Sequence, residues 1–92
     1  MTGSNWTFLT NHAHVLLCLA KSSSMRTRDL AEEVGSTERA VQRIIAELVE
    51  DGYITKTKEG RRNLYKIQEG KALKHPIESH KSIEDFIKLI FE

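Results

Sequence analysis

The chain has 92 residues, of which 39% are hydrophobic and 29% charged, with a formal net charge of +1 and one cysteine. That length holds one modest core and excludes a separate catalytic or ligand-binding domain, and no apolar run approaches the roughly 20 residues a membrane span needs. Cys18, alone and set in the apolar run VLLCLA, excludes an intrachain disulfide and reads as a buried thiol. The opening MTGSNWTFLT has no basic region followed by a long apolar one and a small-residue cleavage site, so the expectation is one cytoplasmic domain spanning 1–92.

Residues 1–5 read as a frayed start. Trp6, Phe8 and Leu9 then precede a capping signal, Thr10 or Asn11, which predicts a short extended piece packed back on the core. From there to Ala20 the pattern is helical. Ala13, Leu16, Leu17 and Ala20 share a face, and Val15, Cys18 and Leu19 widen the apolar arc, which predicts burial against both the domain and a partner. KSSSM at 21–25 is a loop. Thr27 is the expected N-cap of RDLAEEV, with Leu30, Ala31 and Val34 inward and Gly35 as a left-handed stop. Thr37 then caps the next helix. The turn of two or three residues between them is too short for antiparallel packing and suits the steep crossing of a helix-turn-helix.

The stretch TERAVQRIIAELVEDGYI at 37–54 divides into two unlike faces. Val41, Ile44, Ile45, Leu48 and Val49 form the apolar stripe, while Glu38, Arg39, Gln42, Arg43 and Ala46 fall opposite, and Gly52 ends the helix. The period then changes. Tyr53 to Lys58 and Asn63 to Ile67 carry β-formers around a Glu59-Gly60 turn, which predicts a two-stranded hairpin of open register with Ile54, Leu64 and Ile67 toward the core and Tyr53 and Tyr65 half-buried. Its cations are concentrated. Residues 55–66 carry Lys56, Lys58, Arg61, Arg62 and Lys66 against Glu59, whereas 75–92 carry Lys81 and Lys88 against Glu78, Glu84, Asp85 and Glu92.

His75-Pro76 marks a break, with a helical turn expected from Pro76. Ser82 and Asp85 have the spacing of a capping box, and Ile83, Phe86, Ile87, Ile90 and Phe91 form a stripe too apolar for a surface tail to leave exposed. The expected division is a core over about 10–68 and a C-terminal helical dimerisation segment over about 76–92. The fold class is mainly α with a small β-hairpin.

With that order of elements, RDLAEEVGSTERAVQRIIAELVEDGYITKTKEGRRNLYKI resembles the winged helix-turn-helix of small bacterial and archaeal transcriptional regulators of the MarR and ArsR type. The likeness runs through Leu30-Ala31, Gly35, Val41, Leu48, the Asp51-Gly52-Tyr53-Ile54 exit, Gly60-Arg61-Arg62-Asn63 and Tyr65. It departs at Ser36, where such turns usually carry an aliphatic residue, and at Ala40, where threonine is frequent. The whole chain, including TFLTNHAHVLL and HPIESHKSIEDF, also resembles a set of short helix-turn-helix regulators.

The resemblance implies a recognition helix over 37–51 in the major groove of double-stranded DNA, with Thr37, Glu38, Arg39, Gln42 and Arg43 near bases and phosphates. It places Lys58, Arg61 and Arg62 of a basic wing over 55–66 on the flanking backbone or minor groove. The residue types suit those roles: Arg binds guanine in two-pronged fashion, Gln does so with adenine, and wing cations gain mainly by releasing counterions. A homodimer is expected through Trp6, Phe8, Leu16, Leu19, Ile83, Phe86, Ile87, Ile90 and Phe91. Two alternatives stay open. One is a winged helix that only assembles proteins. The other is a metal-responsive regulator using His14, Cys18, His75, Glu78 or His80, although no three or four ligands have the spacing of a metal site. No cofactor is implied, no small-molecule effector is named, and no glycine-rich phosphate loop or activated nucleophile points to an enzyme.

Overall fold

A computed structural model describes residues 5–92, so the frayed start expected at 1–5 lies, except for Asn5, outside the described residues. In chain order the elements are α1 (Asn11–Lys21), α2 (Thr27–Val34), α3 (Glu38–Glu50), β1 (Ile54–Glu59), β2 (Arg62–Ile67) and α4 (Ile83–Phe91). This is the helix, helix-turn-helix, hairpin, helix order read from the residues. No helix among the described residues is long and apolar enough to cross a membrane.

Local chemistry accounts for most boundaries. The Thr10 hydroxyl accepts the Ala13 N–H at 3.3 Å to start α1, and the Thr37 hydroxyl accepts the Ala40 N–H at 3.0 Å to start α3. Both helices of the helix-turn-helix end in the same way. Gly35 at φ 73° and Gly52 at φ 82° turn the chain left-handed, a conformation that costs a side-chain-bearing residue dearly. Gly35 N–H then reaches Glu32 C=O (3.3 Å) and Ser36 N–H reaches Ala31 C=O (2.9 Å), while Gly52 N–H reaches Val49 C=O (3.0 Å) and Tyr53 N–H reaches Leu48 C=O (2.9 Å). Each pair satisfies carbonyls that a helix end leaves open.

The start of α2 differs from expectation. Thr27 is its first helical residue, and Arg26, extended and without a side-chain bond, occupies the capping position. The extra residue lets Leu30 N–H reach Arg26 C=O at 2.9 Å. Leu30 is fully buried, so an unmade bond there would cost more than an unused cap at the surface.

The core gathers one or more side chains from every element: Val15 and Leu19 of α1, Leu30 of α2, Val41 of α3 and Ile54 of β1 are all within 1% of complete burial. Ile83 brings α4 against them. Two residues expected on inward stripes face water, Ala20 on α1 and Val49 on α3. Each sits at the margin of a stripe whose larger aliphatic residues decide which way the helix turns, because burial gains scale with apolar area.

In the hairpin, Ile54 pairs with Ile67, Lys56 with Tyr65, Lys58 with Asn63, and Glu59 with Arg62. The two central turn residues are therefore Gly60 and Arg61, one later than expected. Gly60 has φ 64° and Arg61 no positive φ, the combination of a type II′ turn, whose twist matches paired strands. This register puts Ile54, Tyr65 and Ile67 on the core side and Leu64 on the other, half-buried. The expected roles of Leu64 and the tyrosines are thus exchanged, with Tyr53 and Tyr65 each only 7% exposed. Along the outer edge of β2, Tyr65 N–H donates to Ser23 C=O at 3.0 Å, so the loop between α1 and α2 covers an edge that would otherwise stand open.

No helix starts at Pro76. Residues 75–81 form successive turns, with Glu78 N–H bonded to His75 C=O and Lys81 N–H to Glu78 C=O, in a loop whose ends are joined by an antiparallel bridge between Ala72 and Ser82. The helical part of 76–92 is Ile83–Phe91 alone. Its capping box is complete: Asp85 N–H donates to Ser82 Oγ (3.2 Å) and Ser82 N–H to the Asp85 carboxylate (3.0 Å).

Candidate nucleic-acid interface

Because Val41, Ile44, Ile45 and Leu48 anchor α3 in the core, the helical period turns Arg39, Gln42 and Arg43 outward together, and all three are exposed. Thr37 and Glu38 stand exposed at the start of the same helix, with the Thr37 hydroxyl engaged as the cap. Among the described residues the ion pairs are His12–Glu47 (2.6 Å), Lys74–Asp51 (2.9 Å) and Lys88–Glu84 (3.6 Å). None of them consumes Arg39 or Arg43. Apart from Glu38 at its start, the acidic residues of α3 are Glu47 and Glu50 in its last turn, so the cations of its exposed face, Arg39 and Arg43, lie in its first half.

The wing cations do not share one face. Strand alternation and the register put Lys58 on the side of Ile54 and Tyr65, Arg62 on the opposite side, and Arg61 at the apex. All three are exposed, and among the described residues Arg62 alone of them has a hydrogen-bond partner, donating to Ser24 Oγ at 3.4 Å. A two-residue turn with cations on its tip and both flanks is shaped to face charge on two walls of a groove.

Two further basic residues, absent from the set expected on sequence, are exposed at the start of the helix-turn-helix. Arg26 and Arg28 flank the first residue of α2, both exposed and neither in an ion pair among the described residues. Their signal, two arginines in MRTRDL, is legible, but Thr27 between them reads more strongly as a cap, which it does not form.

The residues expected to pair two copies are scattered. Leu16, Leu19 and Ile83 are 3%, 1% and 4% exposed and belong to the chain's own core, so the wide apolar arc of α1 is consumed internally. Trp6 and Phe8 are exposed and stack edge to face with ring centroids 4.9 Å apart. Phe86 and Ile87 are half-buried against the core on different sides of α4, and Ile90 and Phe91 are exposed.

The residues of the metal alternative are also apart. His14 Nδ1 lies 3.0 Å from Asn11 Oδ1, and His75 Nδ1 accepts the Ile77 N–H at 3.1 Å. Burial, with the nearby Glu33 carboxylate, raises the Cys18 thiol above its ordinary value and so disfavours the thiolate a metal requires. No group of three or more His, Cys, Asp or Glu is placed to hold a metal ion among the described residues.

Comparison with solved structures finds the same fold. One match is the zinc-responsive MarR family member ZitR of Lactococcus lactis, at a TM-score of 0.54 and 22% identity over 72% of this chain and 47% of that one. Another is the zinc-dependent MarR family transcriptional regulator AdcR in its Zn(II)-bound state, at a TM-score of 0.50 and 22% identity over 74% of this chain and 49% of that one. The chain thus spans about half the length of each. No curated protein matches. A family model described as winged helix-turn-helix DNA-binding matches residues 10–55, from the cap of α1 through both helices of the helix-turn-helix into β1. With half of its length matched by that model and its wing formed by β1 and β2, the chain belongs to the winged helix-turn-helix DNA-binding family.

Proposed function

We propose that the chain is a sequence-specific transcriptional regulator that lays α3 in the major groove of double-stranded DNA and sets its wing on the adjoining backbone or minor groove. The observation that carries this reading is the exposed trio Arg39, Gln42 and Arg43, free of ion pairs among the described residues and carried on the same core as a wing with cations on its tip and flanks. Guanidinium and carboxamide groups match the donor and acceptor patterns of guanine and adenine edges, and free cations on a rigid helix lose little by exchanging water for phosphate. Thr37 and Glu38 stand at the entry of the reader helix. Arg26 and Arg28 fall to phosphates beside it, and Lys58, Arg61 and Arg62 to the walls of the groove that the wing meets.

In this reading residues 1–92 act as one domain in the cytoplasm, with no catalytic role. Two copies pair through the exposed end of α4, where Ile90 and Phe91 are 44% and 47% exposed beside Ile87. A two-fold pair would present two reader helices to half-sites about one helical turn apart. Selection from a random duplex pool tests the whole proposal. Enriched sequences should contain an inverted repeat with that spacing; failure of any sequence to outcompete the pool removes sequence-specific regulation.

A further inference from the structure

Beside the start of α1, the end of α3 and one flank of α4 runs an open groove of about 770 Å³. Leu16, Leu48, Ile83 and Phe86 line its apolar part, and Phe8 and Leu89, 91% and 77% exposed, form lips that water covers poorly. Its charged walls are mainly acidic. Glu47, Glu50, Asp51 and Glu78 all border it, against Lys74 and His12. Lys74 is held by Asp51 and His12 by Glu47, which leaves Glu50 and Glu78 without an ion pair among the described residues. We propose that this groove docks an amphipathic helix of a partner protein whose lysines and arginines flank its apolar stripe.

The charge decides the class of occupant. DNA is excluded, since phosphates would meet carboxylates where α3 and the wing offer cations. An acidic helix would desolvate Glu50 and Glu78 with no opposite charge, a cost that its apolar contacts would have to overcome. A basic amphipathic helix meets both demands. Its apolar ridge covers Leu89 and Phe8, while the aliphatic stems of its lysines and arginines lie along the groove and carry their charged ends to the carboxylates. Glu47 and Leu48 belong to the end of α3, Asp51 caps it and Tyr53 lies at its exit into the wing, so such a partner would sit against the back of the reader helix. Ile90 and Phe91, proposed above to pair two copies, are not among the groove's walls, and the docking does not depend on the DNA reading.

The test is fluorescence anisotropy of a dye-labelled helical leucine–lysine peptide, with its leucines on one face, titrated with the full 92-residue chain. Saturable one-to-one binding is expected, with no binding of the matched leucine–glutamate peptide. Leu89→Asp, and separately Glu50→Gln with Glu78→Gln, should each weaken binding about tenfold, as loss of a well-placed anchor does. These positions are exposed, so circular dichroism of the variants should match that of the parent. Glu59→Gln with Glu92→Gln, which removes equal charge outside the groove, should leave binding unchanged. Equal binding of both peptides, or equal loss in both glutamine pairs, overturns the proposal. So does sedimentation showing a dimer that Leu89→Asp alone converts to monomer, because a second copy would then be the occupant.

Discussion

Arg43 and Gln42 project from the exposed side of α3 with no carboxylate among the described residues holding either one, and in the proposed complex each meets a base edge rather than a phosphate. A contact of that kind discriminates. Arg43→Ala or Gln42→Ala should therefore relax preference at one base pair of each half-site by about 1–3 kcal/mol, measured by competition with duplexes changed at single positions, while random-sequence binding changes less. Gly35 acts differently, through the backbone. Nothing lies within 4 Å of where a Cβ would stand, so space permits alanine, but φ 73° does not suit it. Gly35→Ala should lower unfolding stability by about 1–2 kcal/mol in denaturant titration without filling or opening any cavity.

Among the elements, the wing is the simplest to test, because its expected contribution is counterion release. If Arg61 and Arg62 each contact a phosphate, replacing both by alanine should flatten the dependence of log affinity on log salt by roughly two units, with the preferred sequence retained. The α4 start makes a pH prediction. Ser82 N–H and hydroxyl hold the Asp85 carboxyl below its ordinary value, so the charged form is the one the folded helix favours. Stability from that source is present above the unfolded carboxyl's value and is lost as pH falls through the lower, folded one. Asp85→Ala should therefore destabilise the chain at neutral pH and cease to differ from the parent in acid, as followed by thermal melts across the acid range.

For the molecule as a whole, the proposed arrangement depends on what covers the outer end of α4. Ile90→Asp with Phe91→Asp puts two charges on a surface already open to water, so the chain should keep its helical circular dichroism. Analytical ultracentrifugation should show the parent as a dimer and the variant as a monomer. Duplexes with two half-sites should lose their advantage over those with one, because the two reader helices would no longer be linked. A monomeric parent at micromolar concentration removes the paired arrangement.

Helix boundaries at Thr10, Gly35, Thr37, Gly52 and Ser82 are legible in the amino-acid sequence alone, because each depends on bonds between residues a few positions apart. So is the outward face of α3, since a helical period and four inward aliphatic residues leave Arg39, Gln42 and Arg43 nowhere else to point. Register is not legible. Pairing Ile54 with Ile67 across a Gly60-Arg61 turn puts Tyr65 on their face and Leu64 on the other, with Lys58 and Arg62 on opposite faces. Nor can the apolar arc of α1 reveal its own partner. Hydropathy marks Leu16 and Leu19 as side chains that must leave water, but only packing shows that this chain's own core receives them. The same holds for α4, where one apolar run divides between a core contact at Ile83, an acidic groove at Phe86 and Leu89, and an open end at Ile90 and Phe91. Burial is a property of two surfaces, and a sequence read along its length presents them one at a time.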